Sequence, residues 1–305
     1  MSLKIIHTKN LRWVDIVNPD DKDLNYLKEN FKFHPLDFED MVTPATQTKI
    51  DEYDQHHFVI LLFPMVTRET GEIKSTEVDF LIGKNFLITV HNSTMQTLSN
   101  LVNNVQRYDN VRGEYMTDGP GKLLCLILEL LFKRSAPILD RMNQDISNAE
   151  KNTYNLKIEA LDHLAGVKKN IIIFRRIMKM HGYVLEKLNR SKKEYLKFKD
   201  SQMYFQNLIE YEENIWNMLN ADKEIVESFE ETNQSLSGHK MNDILRILTI
   251  FSVIIFLLTL LINILLFAES VSKIDSWPYL LPVTFLTLCT ITLGMLIYFR
   301  KRKWL

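Results

Sequence analysis

The chain has 305 residues, a formal net charge of −1 and 46% hydrophobic residues, so its bulk charge points to no nucleic-acid or acidic partner. Its only cysteines, Cys125 and Cys289, argue against a disulfide framework or a cysteine-based zinc site and suit a reducing compartment for the soluble part. With nine glycines there is little material for a phosphate-binding loop. No Ser/His/Asp, Cys/His or paired-carboxylate arrangement has supporting context, so no enzyme and no organic cofactor are expected.

The start, MSLKIIHTKN, lacks the apolar core of a secretory signal. Leu11–Val17 alternates like a strand and runs into Asn18-Pro19-Asp20, a turn or helix-start signal. Asp21–Asn30 and Pro35–Met41 read as short helices. His56–Val66, Glu77–Gly83 and Asn85–His91 are rich in β-branched and aromatic residues and read as sheet strands with hairpin connections. Together these predict a compact α/β domain over 1–120.

The charged clusters of this region have plain readings. Asp20-Asp21-Lys22-Asp23 is a solvated helix start whose acids complement the helix dipole. Asp37, Glu39 and Asp40 stand close in sequence and would suit a divalent cation, but such a run is more often surface. Asp51, Glu52, Asp54, His56 and His57 look ligand-like, yet they lead into a strand whose alternation splits them between two faces.

From about Pro120 the pattern is helical, giving a long-helix region over 121–246. Lys122–Ile146 reads as one helix with a possible kink at Pro137, and Leu156–Arg190 as a second. The second carries Lys168, Lys169, Arg175 and Arg176, which could bind an anion or only be solvated. A third helix starts near Ser201 and meets no proline before the apolar runs. Unbroken from Gln202 to Phe267, it would be ~100 Å long. So long a rod requires oligomerisation, or packing along the preceding helices, to cover its surface.

Ile247–Ala268 and Ser276–Phe299 are runs of 22 and 24 residues without a charge. Crossing a ~30 Å hydrocarbon core takes about 20 apolar residues, so 247–268 and 276–299 are predicted membrane spans within a terminal segment 247–305. Lys240 and Arg246 precede the first span and Arg300–Lys303 follow the second, while the loop Glu269–Ser276 holds only Glu269, Lys273 and Asp275. The positive-inside rule then places both chain ends in the cytoplasm.

The first span carries a polar stripe. Thr249, Ser252, Thr259 and Asn263 share one helical face, and the same heptad takes in Asn242, Leu245, Phe256 and Leu266. Two readings stand side by side: hydrogen-bonding glue between helices, or a pore wall of polar rings with apolar constrictions. Under either, a mid-membrane amide such as Asn263 must face protein or water. The threonines of the second span, Thr284, Thr287, Thr290 and Thr292, keep to no single face.

WVDIVNPDDKDL (Trp13–Leu24), FHPLDFEDMVTPATQTKIDEYDQHHFVIL (Phe33–Leu61), EVDFLIGKNFLITVH (Glu77–His91), KMNDILRILTIFSVI (Lys240–Ile254) and YFRKRKWL (Tyr298–Leu305) resemble, in order, segments of the CorA family of magnesium channels. The resemblance runs from near Trp13 to the last residue. It implies an α+β cytoplasmic domain followed by long stalk helices and two transmembrane helices, assembled as a homopentameric funnel in a bacterial or archaeal inner membrane. It also implies Mg²⁺ or a related divalent cation as transported or regulatory ion. By alignment the pore-lining positions fall on Asn242, Leu245, Thr249, Ser252, Phe256, Thr259 and Asn263.

Two departures from the family stand out. Where the family ends its pore helix in Gly-Met-Asn, this chain has Leu266, Phe267 and Ala268, with Glu269 just beyond. The family's magnesium sensor pairs a carboxylate near the α/β domain with one on the stalk. Here Asp40 takes the first position and neutral Asn207 the second, with Glu210 one turn later. One fewer charge predicts weaker regulatory binding.

The resemblance therefore leaves three functions open. The first is a divalent-cation channel with altered selectivity, its outer ring moved to Asn263 or Glu269. The second is a membrane effector of a type III CRISPR antiviral system, opened by a nucleotide messenger joining S-adenosylmethionine and AMP, whose phosphate Lys168, Lys169, Arg175 and Arg176 could meet. The third is a non-conducting scaffold, sealed at Leu266 and Phe267.

Overall fold

A computed structural model describes residues 3–153, 158–271 and 277–301. The chain falls into two compact units, Met1–Phe229 and Glu230–Leu305.

The first unit is built on a six-stranded sheet. Strand β1 (Leu3–His7) pairs antiparallel with β2 (Arg12–Val17), and after β2 the chain forms helices α1 (Asp21–Asn30) and α2 (Pro35–Asp40). Then come β3 (Lys49–Glu52), β4 (His56–Val66), β5 (Ile73–Gly83) and β6 (Phe86–His91). The sheet order is β1-β2-β6-β5-β4-β3; β2 and β6 are parallel and every other neighbour is antiparallel. Strand β1 lies ahead of the first strand expected from the sequence, and β5 begins at Ile73, four residues before the expected Glu77.

Local chemistry fixes where α1 and α2 start. The Asp20 carboxylate accepts from the Asp23 backbone N–H at 2.8 Å, and Asp23 accepts in return from that of Asp20 at 3.2 Å, a reciprocal cap. Helix α2 has Pro35 at its first position, where no N–H is needed, and Asp37 accepts from the His34 N–H. Both helices cover one face of the sheet over Val14, Ile16, Phe58, Ile60, Leu81 and Ile88.

Helices α3 (Gln96–Arg107), α4 (Asp109–Met116), α5 (Pro120–Lys133), α6 (Ala136–Thr153), α7 (Ile158–Met178) and α8 (His181–Arg190) follow, then a 3₁₀ turn at Glu194–Leu196. Their apolar faces join the other side of the sheet in the larger core, with Trp13, Phe63, Phe80, Phe132 and Phe174 almost fully buried. The expected helix over Lys122–Ile146 is two helices, separated at Arg134-Ser135. The expected Leu156–Arg190 helix is also two, interrupted after Met178; its first residues, 156–157, lie outside the described residues.

Helix α9 is continuous over Ser201–Val271, 71 residues, in line with the unbroken rod expected from the absence of proline. Phe205, Leu208, Ile215, Leu219 and Val226 recur at helical spacing and are buried in the larger core. In the second unit α9 is followed by α10 (Trp277–Lys301). Among the described residues one helix, Ser201–Ile264 within α9, contains a stretch long and apolar enough to cross a membrane. Residues 272–276 of the expected outer loop and 302–305 of the basic tail lie outside the described residues.

Candidate functional site

The membrane-proximal half of α9 has two distinct sides. Ile250 is 4% exposed, and Ile254, Leu257, Leu258 and Leu261 line a small crevice with Ile291, Thr292 and Met295 of α10. The polar stripe lies on the opposite side of the helix, as 3.6 residues per turn require. All eight of its members, Asn242, Leu245, Thr249, Ser252, Phe256, Thr259, Asn263 and Leu266, are exposed in the single chain. Thus α10 covers the apolar side of α9 and leaves the stripe uncovered.

The stripe's polar groups are anchored on their own helix. The Thr249 hydroxyl donates to the Leu245 carbonyl at 2.7 Å, and that of Thr259 to the Ile255 carbonyl at 2.8 Å. The Asn263 side-chain N–H donates to the Thr259 carbonyl at 2.8 Å. That bond uses a donor of the amide and leaves the acceptor, Oδ1, available for other partners. An amide held this way offers oxygen, the atom a hard cation or its water shell accepts. Beyond it Leu266 and Phe267 are 57% and 71% exposed, so the position of the family's terminal motif presents apolar surface. Ala268 and Glu269 continue the helical backbone of α9.

In the first unit, the carboxylates of α2 have separate roles. Asp37 is buried and accepts from the Tyr53 hydroxyl at 2.7 Å, with His56 Nε2 at 3.0 Å. Burial alone would raise its pKa, but the bonds to His56 and Tyr53 outweigh it and hold the carboxyl below its usual value. Asp37 is therefore a latch tying α2 to β4. Asp40 is bonded to Lys49 Nζ at 2.5 Å, and the same ammonium lies 3.0 Å from Asp51. Asn207 and Glu210 are exposed on α9, where Gln206 Nε2 donates to Glu210 at 3.5 Å.

His56 and His57 go to opposite faces, as strand alternation requires. His57 meets the Tyr195 hydroxyl at 2.8 Å, and burial pushes its pKa down to about 4, so the ring is neutral. Among the described residues no group of three His, Cys, Asp or Glu side chains is placed to hold a metal ion. The four basic residues of α7 do not share one partner: Lys169 is bonded to Glu72 of the sheet unit at 2.6 Å, while the Arg175 guanidinium lies 5.3 Å over the Trp216 ring. Arg176 is exposed and Lys168 half-buried.

One carboxylate pair was not singled out by the sequence. Asp79 is 2% exposed in the middle of β5, with Glu77 beside it, and burial raises its pKa well above the usual carboxylate value. The signal that could have found it is an acid inside a strand whose neighbours, Val78 and Phe80, are fully buried.

Comparison with known proteins agrees with this architecture. The family described as CorA-like Mg2+ transporter protein matches residues 8–301. YfjQ of Bacillus subtilis is 23% identical over 300 residues, covering 96% of this chain and 89% of its own. The cobalt/magnesium transport protein CorA of Thermotoga maritima is 21% identical, covering 96% of this chain and 83% of its own. The complete structure of the CorA magnesium transporter from Methanocaldococcus jannaschii superposes with a TM-score of 0.83 at 19% identity, over 98% of this chain and 94% of that one. With the family profile spanning nearly the whole sequence, the chain belongs to the CorA-like Mg²⁺ transporter family.

Proposed function

We propose that the protein is a homopentameric channel for divalent cations of the Mg²⁺ class, in which a ring of Asn263 amides does the selecting that Gly-Met-Asn does elsewhere in the family. The observation that carries this reading is the orientation of Asn263: its N–H is used by Thr259 at 2.8 Å, which leaves the amide oxygen for the stripe side. Five such oxygens around an axis would replace or bridge to waters of a hydrated ion without a fixed charge. Weak, neutral ligation suits conduction, because an ion must leave as readily as it enters.

Thr259, Ser252 and Thr249 continue the polar rings below, and Phe256 and Leu245 form apolar constrictions where dewetting can gate the path. Helix α10 is the outer helix, both spans form a hairpin in the plasma membrane, and both ends are cytoplasmic. Glu269, just outside, adds five carboxylates that raise the local cation concentration without selecting among ions. At the sensor position Asp40 is already bonded to Lys49 and Asn207 is neutral, so internal magnesium gates this channel weakly, if at all, through that pair. Two of the four basic residues suited to a nucleotide messenger, Lys169 and Arg175, are engaged by Glu72 and Trp216, so the four do not form one phosphate cradle, which favours the cation reading over the nucleotide-gated one.

The test is uptake of Mg²⁺, Co²⁺ and Ni²⁺ into liposomes carrying the full chain. Entry of at least one of these ions is expected. Liposomes impermeable to all three would end the channel reading in favour of a non-conducting scaffold.

A further inference from the structure

On the α1/α2 side of the sheet, a cavity of about 180 Å³ opens between the end of α2, the β6 terminus and β5. Its walls include Asn18, Thr43, Glu77, Asp79 and Asn92. Asp79 is 2% exposed, and its Oδ1 has no hydrogen-bond partner among the described residues. A buried carboxylate oxygen left unpaired is costly, so a group in this position calls for an explanation.

The surrounding charges do not supply one. Glu77 lies beside Asp79, shares a side-chain hydrogen bond with it and adds negative charge; its Oε2 accepts from the Ala45 N–H at 2.7 Å, and Asp79 Oδ1 is still left without a partner. Lys49 is the cation acting on Asp79, but its ammonium is already shared between Asp40 and Asp51. The His91 ring is turned to the other face of the sheet, 3.2 Å from Asp15. Two carboxylates thus adjoin a cavity with room for several waters, with Lys49 already shared between Asp40 and Asp51.

We propose that Glu77 and Asp79 form a divalent-cation site within each subunit, holding a partly hydrated ion of the Mg²⁺ class in this cavity. Mg²⁺ is commonly bound by one or two carboxylates while it keeps several waters, so a third acidic ligand is not needed. The cavity has room for those waters, and Asn18, Thr43 and Asn92 supply polar wall. The site differs from the Asp40–Asn207 position in using neither residue and in needing only one chain. It also has a mechanical consequence. Glu77 holds Ala45, at the end of the segment that leaves α2 just after Asp40, so an ion on Glu77 and Asp79 steadies the segment next to the sensor position.

The proposal stands whether or not the pore conducts, and it is tested by binding. Full-length protein in detergent is titrated with Mn²⁺, a spectroscopic stand-in for Mg²⁺, and unbound Mn²⁺ is followed by electron paramagnetic resonance. We expect a saturable site on every chain that Mg²⁺ displaces. It should weaken roughly tenfold or more in Asp79→Asn and in Glu77→Gln, and persist in Asp40→Asn and Asn263→Leu. Asp79→Asn keeps the size of the side chain and removes a carboxyl that burial disfavours ionising, so it should melt no lower than wild type in EDTA and lose the rise in melting temperature that Mn²⁺ gives wild type. Unchanged affinity and stoichiometry in both Asp79→Asn and Glu77→Gln, or no saturable site in wild type, overturns the assignment.

Discussion

Glu212 on α9 is 7% exposed, and burial together with neighbouring Glu213 raises its pKa to about 7. Asp37 is perturbed the other way by His56 and Tyr53. The two groups give opposite pH dependences. With its folded pKa raised, Glu212 contributes stability that is full below its unfolded value near 4.5 and is lost as pH rises through about 7. Asp37 contributes stability above its unfolded value near 3.8, lost as pH falls through its lower folded value. Glu212→Gln should therefore raise the melting temperature over wild type at pH 8 and do so much less at pH 5. A variant whose melting curve keeps the wild-type pH dependence would contradict this. At this scale the sequence was legible where a rule of geometry applied: alternation alone separates His56 from His57. It was illegible where the environment decides, as at Asp37, whose role depends on Tyr53 and His56 brought alongside by the fold.

Among the elements, helix α5 approaches the 3₁₀ turn so closely that its glycine is required. A Cβ on Gly121 would sit 2.8 Å from the Tyr195 carbonyl oxygen and 2.9 Å from the Leu196 Cα, both backbone atoms that cannot swing aside. Gly121→Ala should force these elements apart and cost roughly 1–3 kcal/mol. Thermal melts of the two proteins side by side measure it, and equal melting temperatures would refute the close contact. The helical region also shows why breaks are harder to foresee than helices. The α7/α8 interruption carries no proline, and its cause is tertiary. His181 at the start of α8 is fully buried with ring centroids 5.6 Å from Phe63 and 5.8 Å from Phe132. Strand β1 is similarly hidden in sequence, because its pairing with β2 is set by register and only Ile6 is fully buried.

For the whole molecule, the long uninterrupted helix and the apolar run in it were readable directly, since charge-free length and absence of proline need no tertiary context. The uncovered stripe was readable as a pattern, but its two interpretations differ only in what surrounds it. Here the structure adds that α10 covers the opposite side of α9 and that the stripe's side chains bond back to their own helix. An uncovered polar face on a membrane helix demands further copies. Native mass spectrometry of the detergent-solubilised chain should accordingly give a mass of five subunits, and a monomer would remove the basis for a pore.

Asn263 stands about one helical turn inward of the Leu266-Phe267-Ala268 position, and we propose that ion selection has moved there. Parallel Mg²⁺ and Co²⁺ influx measurements on liposomes containing wild type, Asn263→Leu and Glu269→Gln address it most directly. Influx is expected through wild type and abolished in Asn263→Leu, and Glu269→Gln should show reduced influx with an unchanged ion preference. Influx through Asn263→Leu at the wild-type rate and with the wild-type preference would contradict it.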